Sequence, residues 1–124
     1  MEKQGKKILV VEDSKSYLWI ISQNLIREGF IVVTAENGVD GLAVAKEENP
    51  DLIISDIVMP NMDGIAMAKK LKEAKIDTPI IFLTNMSDLK NTSVASELAE
   101  EYIIKSEMSI DEIVARVKSR FNFK

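Results

Sequence analysis

The stretch DLIISDIVMPNMDG (51–64) decides how the chain is read. It opens with a short, nearly continuous apolar run, as a strand buried on both faces should. The run ends at Asp56, and Pro60 and the pair Asp63-Gly64 then mark a turn. A carboxylate is therefore carried out of a buried strand at its carboxyl end. In a parallel sheet this is the edge where ligands bind.

Four further runs resemble this one: KILVV (7–11), FIVVTA (30–35), PIIFLT (79–84) and EYIIK (101–105). Segments with helical spacing lie between them. Leu18, Ile21 and Leu25 make one face of a helix over about 14–28, with Gly29 at its stop position. Leu42, Ala45 and Lys46 belong to a second helix ended by Asn49-Pro50, and Ile65, Ala68 and Leu71 mark a third. Leu89, Val94 and Leu98 mark a weaker fourth. Ser109 and Glu112 have capping-box spacing ahead of a last stripe, Ile110, Ile113, Val114 and Val117. Strand and helix alternate five times, which predicts a doubly wound α/β fold with a parallel sheet and helices on both faces.

Composition narrows the chemistry. The 124 residues have room for one domain. A net charge of -4 without a Lys/Arg cluster argues against direct nucleic-acid binding. The chain has neither Cys nor His, which removes thiolate chemistry, disulfides and the commonest acid-base side chain. The longest apolar runs are far too short to span a bilayer, so a soluble, cytoplasmic protein with no membrane partner is expected.

Carboxylates, hydroxyls and amines remain, and the strand ends collect them. Glu12 and Asp13 close the first strand, Asp56 the third, Thr84 the fourth and Lys105 the fifth. Three neighbouring carboxylates repel one another unless a cation joins them. Mg2+ fits an all-oxygen site of this kind. A dication and Lys105 would balance the three acids and leave the pocket ready for an anion.

These residues carry a resemblance. VVEDS (10–14), NG (37–38), PDLIISDIVMPNMDG (50–64), PIIFLT (79–84) and YIIK (102–105) resemble the receiver domain of two-component response regulators, over essentially all 124 positions. The resemblance implies a flavodoxin-like sheet of order 2-1-3-4-5. It implies that Asp56 is the phosphoacceptor for a histidine kinase or phosphotransfer protein. Asp13, Asp56 and the backbone carbonyl of Val58 would then ligate Mg2+, with Glu12 acting through a water. Lys105 would pair with the phosphoryl oxygens, and Thr84 and Tyr102 would form the switch. The domain would be a signalling phosphoacceptor that catalyses at most its own phosphorylation and dephosphorylation.

The chain departs from the family at Ser106, where Pro is usual, at Asn85, where a smaller residue is usual, and in ELAEEY, which lacks a common Gly. A trans bond or a rearranged loop is expected at Lys105-Ser106, because a cis bond before a non-proline costs roughly 2.5–4 kcal/mol. An altered dephosphorylation rate is expected with it. Output is expected through a downstream effector protein, from the surface of the fourth helix, fifth strand and fifth helix, or through a phosphorylation-dependent homodimer. The chain ends at Lys124, just after the last helix, and is read as a single receiver with no output domain, either stand-alone or excised from a longer regulator. Trp19 and Ile26, off the apolar stripe of the first helix, are candidates for docking the kinase or for capping the core edge. An aspartyl-nucleophile phosphatase would need a second Asp where Val58 stands. A phosphorylation-independent pseudo-receiver would lack Asp56, Lys105 or the acidic pair.

Overall fold

The computed structural model describes residues 5–85 and 101–121. Five strands, β1 (Lys7–Val11), β2 (Ile31–Ala35), β3 (Leu52–Asp56), β4 (Ile80–Thr84) and β5 (Glu101–Ile104), form one sheet. All neighbours are parallel and the order is β2-β1-β3-β4-β5. The helices are α1 (Lys15–Arg27), α2 (Gly38–Glu48), α3 (Gly64–Glu73) and α4 (Ile110–Arg120). The helix read at Leu89, Val94 and Leu98 lies outside the described residues.

Side-chain alternation along the central strands divides the core into two layers. Ile8, Val10, Leu52, Ile54, Ile81 and Leu83 face α1 and α4, and meet Leu18, Ile21, Leu25, Ile113, Val114 and Val117. Leu9, Val11, Ile53, Ile80 and Phe82 face the opposite way and meet Ala45, Met67, Ala68 and Leu71. Helices therefore cover both faces.

The expectation that every strand is buried on both faces is corrected at the sheet edges. β1, β3 and β4 are buried almost throughout, but β2 leaves Ile31 and Thr34 exposed and β5 leaves Tyr102 exposed. An edge strand has a neighbour on one side only, and the flanking helices do not reach fully across it.

Polar side chains close the starts of the helices, and the capping box expected at Ser109 and Glu112 is one of them. Asn37 caps α2 by accepting from Asp40 N–H at 2.8 Å, and Asp63 caps α3 by accepting from Ala66 N–H at 2.7 Å. Ser109 and Glu112 complete the capping box of α4, at 3.1 and 2.9 Å. Asp63 thus serves as a helix cap.

Two glycines hold the loop after Asp56 close to the sheet. Gly38 N–H donates to the Met62 carbonyl at 3.0 Å, and Gly64 N–H donates to the Ile57 carbonyl at 2.7 Å. A Cβ on Gly38 would overlap the Met62 carbonyl, and one on Gly64 would overlap the Asp56 carbonyl. Neither obstacle is a flexible side-chain end, so the backbone itself would have to move. Gly38→Ala should therefore cost about 1–3 kcal/mol of stability in urea unfolding. Val39→Ala, at the exposed neighbouring position, should shift it by less than about 0.5 kcal/mol. Equal effects of the two would show that the close approach carries no weight.

Candidate functional site

Register builds the site. Val11 lies opposite Ser55 in the β1–β3 pair, Asp56 opposite Leu83 in β3–β4, and Thr84 opposite Ile104 in β4–β5. The carboxyl ends of four strands are thus nearly level. Glu12, Asp56, Thr84 and Lys105 reach one edge from distances of up to 93 positions in sequence.

Lys105 joins the acids. Its Nζ donates to Glu12 Oε1 at 2.8 Å and to Asp56 Oδ2 at 3.2 Å. Both carboxylates are deeply buried, with Glu12 1% and Asp56 4% exposed. Their remaining oxygens take backbone donors: Asp56 Oδ1 accepts from Ile57 N–H at 2.8 Å, and Glu12 Oε2 from Ser14 N–H at 3.1 Å. Asp13 is exposed at the rim. One carboxylate oxygen from each of Glu12, Asp13 and Asp56 falls within a span of 4.8 Å, a cluster of hard oxygen donors that fits a small divalent cation.

Burial pushes Asp56 up to about 6, and the Glu12 charge adds to the shift; Lys105 and the Ile57 N–H pull against both. Burial also acts against the Lys105 ammonium. Its hydrogen bond to Glu12 and the two carboxylate charges outweigh that, so its pKa lies above the ordinary lysine value.

The other predicted residues sit around this centre. Val58 lies in the loop directly after Asp56 with an exposed side chain. The backbone hydrogen bonds of that loop run from Met62 N–H to Pro60 and from Gly64 N–H to Ile57. Thr84 is fully buried, and its hydroxyl donates to the Asn85 carbonyl at 3.2 Å. Tyr102, 37% exposed, stands outside the centre on β5 and lines a cleft of about 190 Å³ with Ile104, Met108 and Arg116. Arg116 is ion-paired with Glu101.

The expectation that Lys105 is the last residue of its strand is corrected. The β4–β5 ladder stops at Ile104, and Lys105–Glu107 form a turn of 3₁₀ helix. No peptide among the described residues is cis. With Ser106 in place of Pro, nothing bars Lys105 from a helical conformation, and its ammonium still reaches both acids.

One neighbour escaped the sequence reading. Tyr17, in the first turn of α1, has its ring beneath the Lys105 ammonium, 4.5 Å from centroid to Nζ. The available signal was its place four residues before Ile21 on the buried stripe, in the turn that follows the acidic pair.

The comparisons with known proteins bear on the family and the fold. Residues 8–118 match the family described as the response regulator receiver domain. The alkaline phosphatase synthesis transcriptional regulatory protein PhoP of Bacillus subtilis is 40% identical over 93% of this chain and 48% of its own length. The chain thus spans about half the length of that curated relative. Among solved structures, the Francisella response regulator 1452 receiver domain superposes with a TM-score of 0.84, at 30% identity, over 94% of this chain and 97% of its own. The response regulator TrrA of Thermotoga maritima, in complex with Mg2+-BeF, gives a TM-score of 0.81 at 37% identity, over 92% and 97%. No helix among the described residues is long and apolar enough to cross a membrane. A parallel sheet of order β2-β1-β3-β4-β5, with acids and a lysine gathered at its carboxyl edge, and a family match over residues 8–118 together place this chain among the response regulator receiver domains of two-component systems.

Proposed function

We propose that the chain works as one receiver domain that takes a phosphoryl group onto Asp56 and thereby changes a partner-binding surface. The observation that carries this reading is the position of Asp56, buried at a strand end within reach of a cation and beside two further carboxylates. Phosphoryl transfer asks little of a protein beyond an in-line nucleophile and positive charge around the moving oxygens. An Asp56 oxygen attacks phosphorus, the bond from phosphorus to the donor's imidazole nitrogen breaks, and its electron pair stays on that nitrogen. Asp56 is ionised over most of the neutral range and needs no base.

Asp13, Asp56 and the Val58 carbonyl would hold Mg2+, with Glu12 acting through a water; the ion supplies charge neutralisation at the phosphoryl oxygens. Lys105 turns from the Asp56 carboxylate towards the arriving oxygens. The Thr84 hydroxyl exchanges the Asn85 carbonyl for the phosphoryl group, and Tyr102, poised outside, follows it inward. A downstream effector, or a second phosphorylated copy, reads the surface around Tyr102. The Mg2+-BeF complex of TrrA supports the same ligand chemistry here.

The donor is a histidine kinase or phosphotransfer protein, and α1 offers it a docking face. Trp19 is 64% and Ile26 49% exposed, two turns apart on the same helix. Trp is a residue type that dominates interface energetics.

Three outcomes are expected. Incubation with Mg2+ and acetyl phosphate should add one phosphoryl mass to the wild type and none to Asp56→Asn or to a chelated sample. A gain that survives Asp56→Asn would reject the assignment, and no gain with any donor would leave a phosphorylation-independent interaction module.

The second outcome concerns stability. The folded protein holds the Asp56 proton at about 6 against 3.8 for an unperturbed Asp, so the native state binds more protons and the unfolding free energy falls as pH rises. The penalty is complete above about pH 6 and fades as pH drops towards about 4. In chelator, Asp56→Asn should therefore gain about 1–3 kcal/mol over the wild type at pH 7.5 and less at pH 5. A pH-independent difference would show that burial of the charge is not the cause.

Third, Trp19→Ala should slow transfer from the kinase by about tenfold while leaving the acetyl phosphate rate unchanged. Loss of both rates would place Trp19 in the core edge instead.

A further inference from the structure

Lys105 is held by unequal means on its several sides. Its backbone lies in a three-residue 3₁₀ turn that has no side-chain cap and is followed by the extended Met108. Ser106 is exposed and imposes no restriction on the residue before it. A turn this short is a weak anchor. The direction of the lysine stem is therefore left to the contacts of its ammonium: Glu12 at 2.8 Å, Asp56 at 3.2 Å and the Tyr17 ring face at 4.5 Å.

The three contacts differ in kind. The carboxylates are directional acceptors, and either one alone would draw the ammonium to itself. The ring face attracts a cation over its whole area. Tyr17 packs on the α1 side of the core, and its buried hydroxyl has no hydrogen-bond partner among the described residues. What this residue gives the site is its ring.

We propose that Tyr17 is a positioning residue for phosphoryl transfer, its ring holding the Lys105 ammonium over Asp56 where the Lys105-Ser106 backbone cannot. The inference rests on the reading of Asp56 as phosphoacceptor. The ammonium must leave Asp56 Oδ2 for the oxygens of an arriving phosphoryl group, and the nearer Glu12 oxygen competes for it. A contact without fixed direction lets it make this shift while still confined to the site.

Tyr17→Phe keeps the ring and Tyr17→Leu removes it; Tyr17→Met replaces Leu if that variant does not fold. The Lys105 ε-methylene proton shifts, read by NMR in metal-free protein, should show the same ring-current displacement in wild type and Tyr17→Phe and lose it in Tyr17→Leu. With acetyl phosphate, Tyr17→Phe should be phosphorylated within about twofold of wild type and Tyr17→Leu about fivefold more slowly. Mg2+ affinity by calorimetry should be the same in all three. Wild-type rates in Tyr17→Leu, equal slowing in Tyr17→Phe, or slowing that tracks lost Mg2+ affinity would each overturn the proposal. If the wild type takes no phosphoryl group, the phosphoacceptor reading fails by itself. The NMR shifts then still decide whether the ring holds Lys105: a displacement absent from wild type overturns the positioning, and one lost only in Tyr17→Leu upholds it.

Discussion

Three carboxylate oxygens gathered within 4.8 Å repel one another, by about 3 kcal/mol per pair at an effective dielectric near 20. The fold brings them there because strand register leaves it no choice: the chain exits β1 and β3 at the same level. Lys105 is the interaction that makes this tolerable. One ammonium bonded to both buried acids offsets part of the repulsion and satisfies oxygens that would otherwise be stranded away from water. It ties β5 to β1 across the two strands between them.

The rest of the edge is arranged around that bridge. Glu12 and Asp56 continue the alternation of Ile8 and Val10 and of Leu52 and Ile54, so both emerge on the α1 side of the sheet, where the Lys105 ammonium meets them. This parity brings the first turn of α1, and with it Tyr17, against the ammonium. The opposite layer acts on the backbone, where α2 and α3 press the loop after Asp56 onto the sheet through Gly38 and Gly64. One face supplies charge and the other fixes the path of the chain beside it.

Much of this was legible in the sequence, for reasons that can be traced to particular residues. The runs at 7–11, 51–55 and 79–84 were readable because strands covered on both sides must be apolar throughout. The edge character of β2 was not, since FIVVTA has the same composition as a central strand and its place in the sheet alone exposes Ile31. Asp56, Glu12 and Lys105 stood out as charged residues at the ends of apolar runs. The conformation of Lys105 was hidden because the ladder ends one residue earlier than the apolar run suggests. Tyr17 was hidden more deeply. Its spacing speaks only of packing on its own helix, and its contact with a residue 88 positions away depends on how α1 crosses the sheet.

The charge balance at the edge is left incomplete, and this suits the phosphoryl transfer proposed for it. Lys105 holds two buried acids, yet Asp56 still lies at about 6, so one cation does not fully offset burial and the Glu12 charge together. A carboxylate in that condition remains ionised at neutral pH but gains from every further positive charge placed near it. It is therefore poised to accept a cation, and the cation in turn makes room for an anion. A site in which Lys105 had already neutralised Asp56 would be more stable and would have less reason to bind either. Burial first, and the Glu12 charge after it, thus leave Asp56 short of positive charge, and a fold that puts stability elsewhere, in two well-packed layers, can tolerate it.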